Sequence, residues 1–291
     1  MGQITRSGMP ASTQLSEALW GGFDFRGRQS AIIPGGGPKT RFAMDDFMGF
    51  GKATAVSSNL GRYASAAGCY QSWEDTGGSI ANLPTVTGGG IRLTNDTTDN
   101  DEVNMQLGDI TGVLGAISVT AGNDGCQPTR FETSFRLPTQ VTSGTVFMGM
   151  AQEGLAVENF LPDTDNTFAD KDFIGFYVSV DAPTTLKFCY HKESGTRVDV
   201  SIGTIAVDTW YKAGWLFVPA GFQGADADKR IRIFLDGAEY TTTYITATQA
   251  SSTTHFPGDE EMSPMFSAKN TTTAARLLDL RWWAWGQENA A

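Results

Sequence analysis

Acids, cations and two histidines are the side chains through which this 291-residue chain could do chemistry, and their spacing says which chemistry. Glycosidic hydrolysis on a sheet needs an acid and a nucleophile on one strand face, as an E-x-D-x-x-E run supplies. No such run occurs. Arg130-Phe131-Glu132 sets a cation and an acid two residues apart, hence on one side of a strand. Lys212-Ala213-Gly214 offers another cation in a second apolar stretch. Proton abstraction would also need a positioned base, and neither histidine stands near these residues in sequence: His191 closes an apolar run and His255 sits beside Phe256-Pro257. There is no G-x-S-x-G turn, and no cysteine stands in an activating context. Gly35-Gly36-Gly37-Pro38 lacks the Lys-Ser/Thr of a phosphate loop. No catalytic residue is assigned, and the chain is expected not to be an enzyme. Arg130, Glu132 and Arg136 are expected to form an exposed, ion-paired sheet face.

Calcium is the one cofactor that the residue types admit. Asp96, Asp99 and Asp101 cluster in one loop, and Asp163, Asp165, Asp170 and Asp172 in another. Neither has EF-hand spacing, and acidic loops are commonly solvated turns, so no metal site is assigned. Cys69, Cys126 and Cys189 give neither a disulfide framework nor a zinc spacing. Buried, reduced thiols are expected.

The elements that would carry these residues are strands. From Trp210 to Thr243, Tyr211, Ala213, Trp215 and Phe217 alternate with Lys212 and Gly214, and Ile231, Ile233 and Leu235 with Arg230 and Arg232. Period two marks strands with one buried face, and Asp236-Gly237 supplies a tight hairpin turn. Phe131, Thr133, Phe135 and Leu137 alternate likewise. Leu186–His191 and Arg197–Ile202 predict a hairpin around Glu193-Ser194-Gly195, and a long loop is expected from Glu153 to Lys171. The final run, Ala275 to Trp285, carries bulk on both faces, as a central strand does: Leu277, Trp283 and Trp285 on one side, Leu278, Leu280, Trp282 and Ala284 on the other. About a dozen short strands imply an all-β, two-sheet antiparallel jelly-roll sandwich over residues 45–291.

Residues 1–44 read differently, as an extended N-terminal arm. Only Ser12 to Trp20 could form a short helix, capped by Ser12 or Thr13. Net charge is −11, which excludes nucleic-acid binding over the whole surface, and no apolar run approaches membrane-spanning length. Residues 1–62 nevertheless hold seven Lys/Arg against four acids. A basic arm carrying apolar side chains wants a surface to cover, and Arg6, Trp20, Phe23, Phe25, Arg26 and Arg28 are the candidate protein-contact residues.

Several pieces, in order, carry a resemblance: FAMDDFMGF, TNDTTDNDEVNMQLG, RFETSFRLP leading to TVFMGMAQ, DKDFIGFYVSVD, the Trp-led strand running to RIRIFLDG, and MSPMFSAKNTTTAARLLDLRWWAW. Together they resemble concanavalin A-like (laminin G-like) jelly-roll domains and, more narrowly, virion structural proteins of tailed bacteriophages built on that fold. The resemblance implies a virion protein, of the capsid or of the tail; the role expected here is a capsid decoration or cement subunit, assembled in the host cytoplasm and located in the virion. Its arm would bind the major capsid protein or other virion proteins, and the subunit would be a homo-oligomer. The alternative it leaves open is a carbohydrate-binding module on a phage tail or head, with Trp73 or Trp282 stacking on host glycans. Arg130-x-Glu132 and Lys212-Ala213-Gly214 are also similar to two strands of jelly-roll polysaccharide lyases. Ser134 replaces the second arginine of the lyase R-x-E-x-R strand, and the histidine strand is missing.

Overall fold

The computed structural model describes residues 15–21, 40–47, 50–55, 59–65, 68–83, 89–108, 117–118, 128–139, 144–157, 159–162, 167–219, 229–258 and 260–288. A single-turn helix, α1 (Glu17–Trp20), comes first. The strands follow: β1 (Thr40–Asp45), β2 (Gly51–Ala55), β3 (Leu60–Ala64), β4 (Cys69–Glu74), β5 (Ser79–Asn82), β6 (Ile91–Thr94), β7 (Glu102–Leu107), β8 (Ile117–Ser118) and β9 (Thr129–Arg136). The second half holds β10 (Gly144–Gln152), β11 (Phe173–Val178), β12 (Thr185–His191), β13 (Val198–Thr204), β14 (Tyr211–Phe217), β15 (Lys229–Leu235) and β16 (Ala238–Thr246). After a second short helix, α2 (Ala247–Ala250), come β17 (Glu261–Asn270) and β18 (Leu277–Glu288).

Two antiparallel sheets face each other. The first runs β16-β15-β14-β9-β18-β6-β5, with β1 paired to β18 beyond the end of β6. The second runs β13-β12-β11-β10-β17-β7-β4-β3-β2, with β8 on β17. The expected jelly-roll sandwich is the observed architecture. Phe131, Phe135, Ala213, Trp215, Phe217, Ile231 and Ile233 all point into the space between the sheets, as their alternation requires. Asp236 (φ 50°) and Gly237 (φ 83°) both lie in the left-handed region, which gives the β15–β16 hairpin its tight two-residue turn.

The central position of β18 is as read, but its facing is not. A β-bulge between Leu280 and Trp282 inserts Arg281 and reverses the alternation. Leu278 and Leu280 therefore point inward together with Trp283 and Trp285, while Trp282 and Ala284 point outward. The helix differs too: it starts at Glu17 behind an extended Ser16, and Ser12 and Thr13 lie outside the described residues. β1 straddles the expected 44/45 boundary and is a full member of the first sheet. Cys189 is buried, Cys69 is exposed, contrary to expectation, and Cys126 lies outside the described residues.

A buried polar chain ties the sheets together. Trp283 Nε1 on β18 donates to Tyr70 Oη on β4 at 2.8 Å, and Tyr70 Oη donates to Asp45 on β1. Ser65 Oγ and the Phe47 amide also donate to Asp45, whose carboxyl is pushed above the usual range by burial. Tyr70→Phe removes the central link, strands the buried Trp283 indole N–H and takes one donor from Asp45, which keeps Ser65 and the Phe47 amide. It is expected to cost about 1–3 kcal/mol, read as a lower urea midpoint; an unchanged midpoint contradicts the role given to this chain.

Candidate functional site: two covered sheet faces

Each sheet carries an apolar patch on its outer face as well as an apolar inner face, and residues of the chain itself cover that patch. On the first sheet, Leu216, Phe234, Trp282 and Ala284 form an apolar patch beneath Leu19 and Trp20 of α1. Trp20 is fully buried there and meets Phe42 edge-on, with ring centroids 5.5 Å apart. Three polar contacts run to one carboxylate. Glu132 accepts from the Ser16 amide (3.1 Å), Ser16 Oγ and Trp20 Nε1 (2.8 Å). Arg130 Nε donates to the Leu19 carbonyl at 3.2 Å. The cover sits close because Gly214, opposite Glu132 on β14, has no side chain: a Cβ there would lie 2.5 Å from Leu19 Cδ2.

These are the residues that sequence reading singled out for chemistry. Arg130 and Glu132 on β9 do stand beside Lys212 and Gly214 on β14. They are not an exposed ion-paired face, however. Glu132 is 1% exposed and Arg130 7%, and they bind peptide. Burial raises the Glu132 pKa, and the Ser16 and Trp20 donors pull it back. Arg130 pairs with Glu288, and Arg136 with Asp279 and Asp208. Asp279 is fully buried and also takes Arg92 at 2.6 Å. Arg136 and Arg281 both stack on Trp210, with guanidinium carbons 4.9 and 4.2 Å from the ring centroid.

The second sheet is covered by the stretch read as a loop. Leu155, Phe160, Leu161 and Phe168 pack on Phe147, Phe173, Tyr177 and Met265 as a second apolar cluster. Alternate residues of β7 fix its main chain. Gln106 Oε1 accepts from the Leu155 amide (2.9 Å), Asn104 Nδ2 donates to the Val157 carbonyl, and Glu102 Oε1 accepts from the Leu161 amide (3.0 Å). Lys269 Nζ on β17 donates to Asn159 Oδ1 and the Leu161 carbonyl and lies 3.6 Å from Glu102 Oε2. Burial pushes Glu102 up to about 7 against the pull of Lys269.

Of the candidate contact residues, Trp20 packs on the chain's own body, its ring fully buried. Arg6, Phe23, Phe25, Arg26 and Arg28 lie outside the described residues. Trp282, offered for sugar stacking, is fully buried, and Trp73 is half-buried. Among the described residues no three acids, histidines or cysteines are grouped to hold a metal. Asp96 caps the Thr98 amide, and Asp172 accepts from the Glu193 and Gly258 amides. Asp163 and Asp165 lie outside the described residues. Sequence reasoning missed the Ser16–Glu132 contact, which spans 116 residues. It also missed the β7 ladder, whose signal was the polar alternation of Glu102, Asn104 and Gln106 within an apolar strand.

This architecture is that of the lectin-like jelly-roll sandwiches. The chain is similar to a protein of unknown function from Shewanella oneidensis MR-1, at 13% identity and TM-score 0.51, over 86% of this chain and 87% of that one. It is also similar to peanut lectin with a nine-residue peptide, at 12% identity and TM-score 0.50, over 87% of this chain and 99% of that one. At these identities the likeness is one of fold. No family model and no curated protein matches the sequence.

The raised carboxylates set a pH dependence. Between the ordinary range near 4.5 and about 7, folded Glu102 holds a proton that the unfolded chain has released. The native state therefore binds more protons there, so stability is greatest at the acid end and falls as pH rises through 7. Glu102→Gln cannot titrate. Urea midpoints from pH 5 to 8 should show wild type losing about 1–3 kcal/mol more across that range than the variant. Parallel slopes would contradict the assignment.

Proposed function

We propose that this chain is a non-catalytic adhesive sandwich, a structural subunit of a tailed-phage virion that decorates or cements the capsid. One observation carries the non-catalytic part. Glu132, the acid of the strand most like an enzyme's, is buried under Ser16 and Trp20 and spends both oxygens on them. A carboxylate committed in this way holds peptide and has no access to a substrate. The order of sequence motifs supports the virion part. The acidic body would face solvent, and the basic arm would contact the major capsid protein or other virion proteins, in several copies held together. Virion location follows from this reading.

The arm's role is narrower than its length suggests, because Leu15–Trp20 and β1 belong to the body. Deleting residues 1–14 is expected to leave a cooperatively folded protein that binds capsids stripped of it at least about tenfold more weakly. A truncated chain that still saturates such capsids overturns the arm's role. Mass spectrometry of purified particles tests the virion part, with a copy number comparable to that of the major capsid protein expected.

A carbohydrate-binding module on the virion surface is the second reading. It has the support of half-buried Trp73 and of the fold shared with peanut lectin. A glycan array separates the two: selective glycan retention favours it over the cement role.

A further inference from the structure

The groove on the outer face of the first sheet is built to read a short peptide. Arg130 supplies a donor for a main-chain carbonyl and Glu132 acceptors for a main-chain amide, a serine hydroxyl and an indole, while Leu216, Phe234, Trp282 and Ala284 supply an apolar floor. Gly214 lets the peptide approach the sheet. The occupant, Leu15–Trp20, is joined to β1 by residues 22–39, a stretch that includes five glycines and two prolines. Nineteen residue steps reach up to about 60 Å when extended, whereas a body of this size is roughly 50 Å across. The tether is therefore long enough to deliver the same six residues to a groove on a neighbouring body.

We propose that this groove is an exchangeable docking site whose second ligand is the Leu15–Trp20 segment of another copy of this chain. Every contact within one chain is available between two, so exchange costs chiefly the entropy of association. In dilute solution the tether favours a chain's own segment by its high effective concentration; where copies crowd, as on a shell, exchange links neighbours. The inference does not need the virion reading, since it concerns the purified protein alone.

Two complementary full-length variants test it. Leu19→Ala/Trp20→Ala carries an open groove and a dead segment. Glu132→Lys carries an intact segment and a dead groove; with the segment released, a lysine at position 132 faces solvent, so folding tolerates it. Each variant alone is expected to sediment as its own species. An equimolar mixture at high concentration is expected to form a one-to-one heteromer, weakened at least about tenfold when Trp20→Ala is added to the Glu132→Lys chain. Circular dichroism melts show whether both variants fold. Should either fail, Ser16→Ala and Glu132→Gln take their places as milder lesions of the same contact. A mixture of folded variants that stays unassociated overturns the proposal and leaves the capsid-binding test of residues 1–14 untouched.

Discussion

A sheet with bulky apolar side chains on both faces has to be covered twice. That constraint governs this molecule. The sandwich interior takes Trp283, Phe217 and Met148, but their strand neighbours Trp282, Leu216 and Phe147 point the other way and are as apolar. Full burial of one such side chain is worth roughly 1.5–3 kcal/mol, so leaving them in water would forfeit much of a domain's net stability. The chain meets the demand with its own residues, Leu19 and Trp20 of α1 over the first sheet and Leu155, Phe160, Leu161 and Phe168 over the second.

Covers of this kind bring main chain with them, and buried main chain needs partners. The solution is the same on both faces. Polar side chains spaced two apart on a strand reach outward and satisfy the cover's amides and carbonyls: Arg130 and Glu132 on β9, and Glu102, Asn104 and Gln106 on β7. Burying these groups shifts Glu102 and Glu132 upward, because the charged form loses water. The perturbed carboxylates mark peptide attachment here. Such shifts usually draw attention as signs of catalysis, and only the surrounding geometry separates the two origins.

Local chemistry made much of the fold legible. Period-two alternation located β9, β14 and β15, and Asp236-Gly237 located the hairpin between β15 and β16, because strand facing and turn conformation depend on near neighbours. The bulge at Arg281 was not legible: nothing in ARLLDLRWWAW distinguishes a regular strand from one with an inserted residue, and the error exchanged the faces of Leu278 and Leu280. The covers were illegible for another reason. Ser16 meets Glu132 across 116 residues, and Leu155 meets Gln106 across 49; no local pattern encodes such pairings. Arg130-x-Glu132 was noticed for the right property, two polar groups on one face, but its partner lay at the far end of the chain.

The ladder on β7 grips the backbone of its cover and leaves most of its side chains alone. At Val157 the carbonyl is held by Asn104 while the side chain is 39% exposed. Path and identity are thereby uncoupled. The segment can diverge freely at such positions over evolutionary time, provided that Leu155, Phe160 and Leu161 keep plugging the sheet, and its outward surface can acquire a new epitope without unsettling the fold beneath.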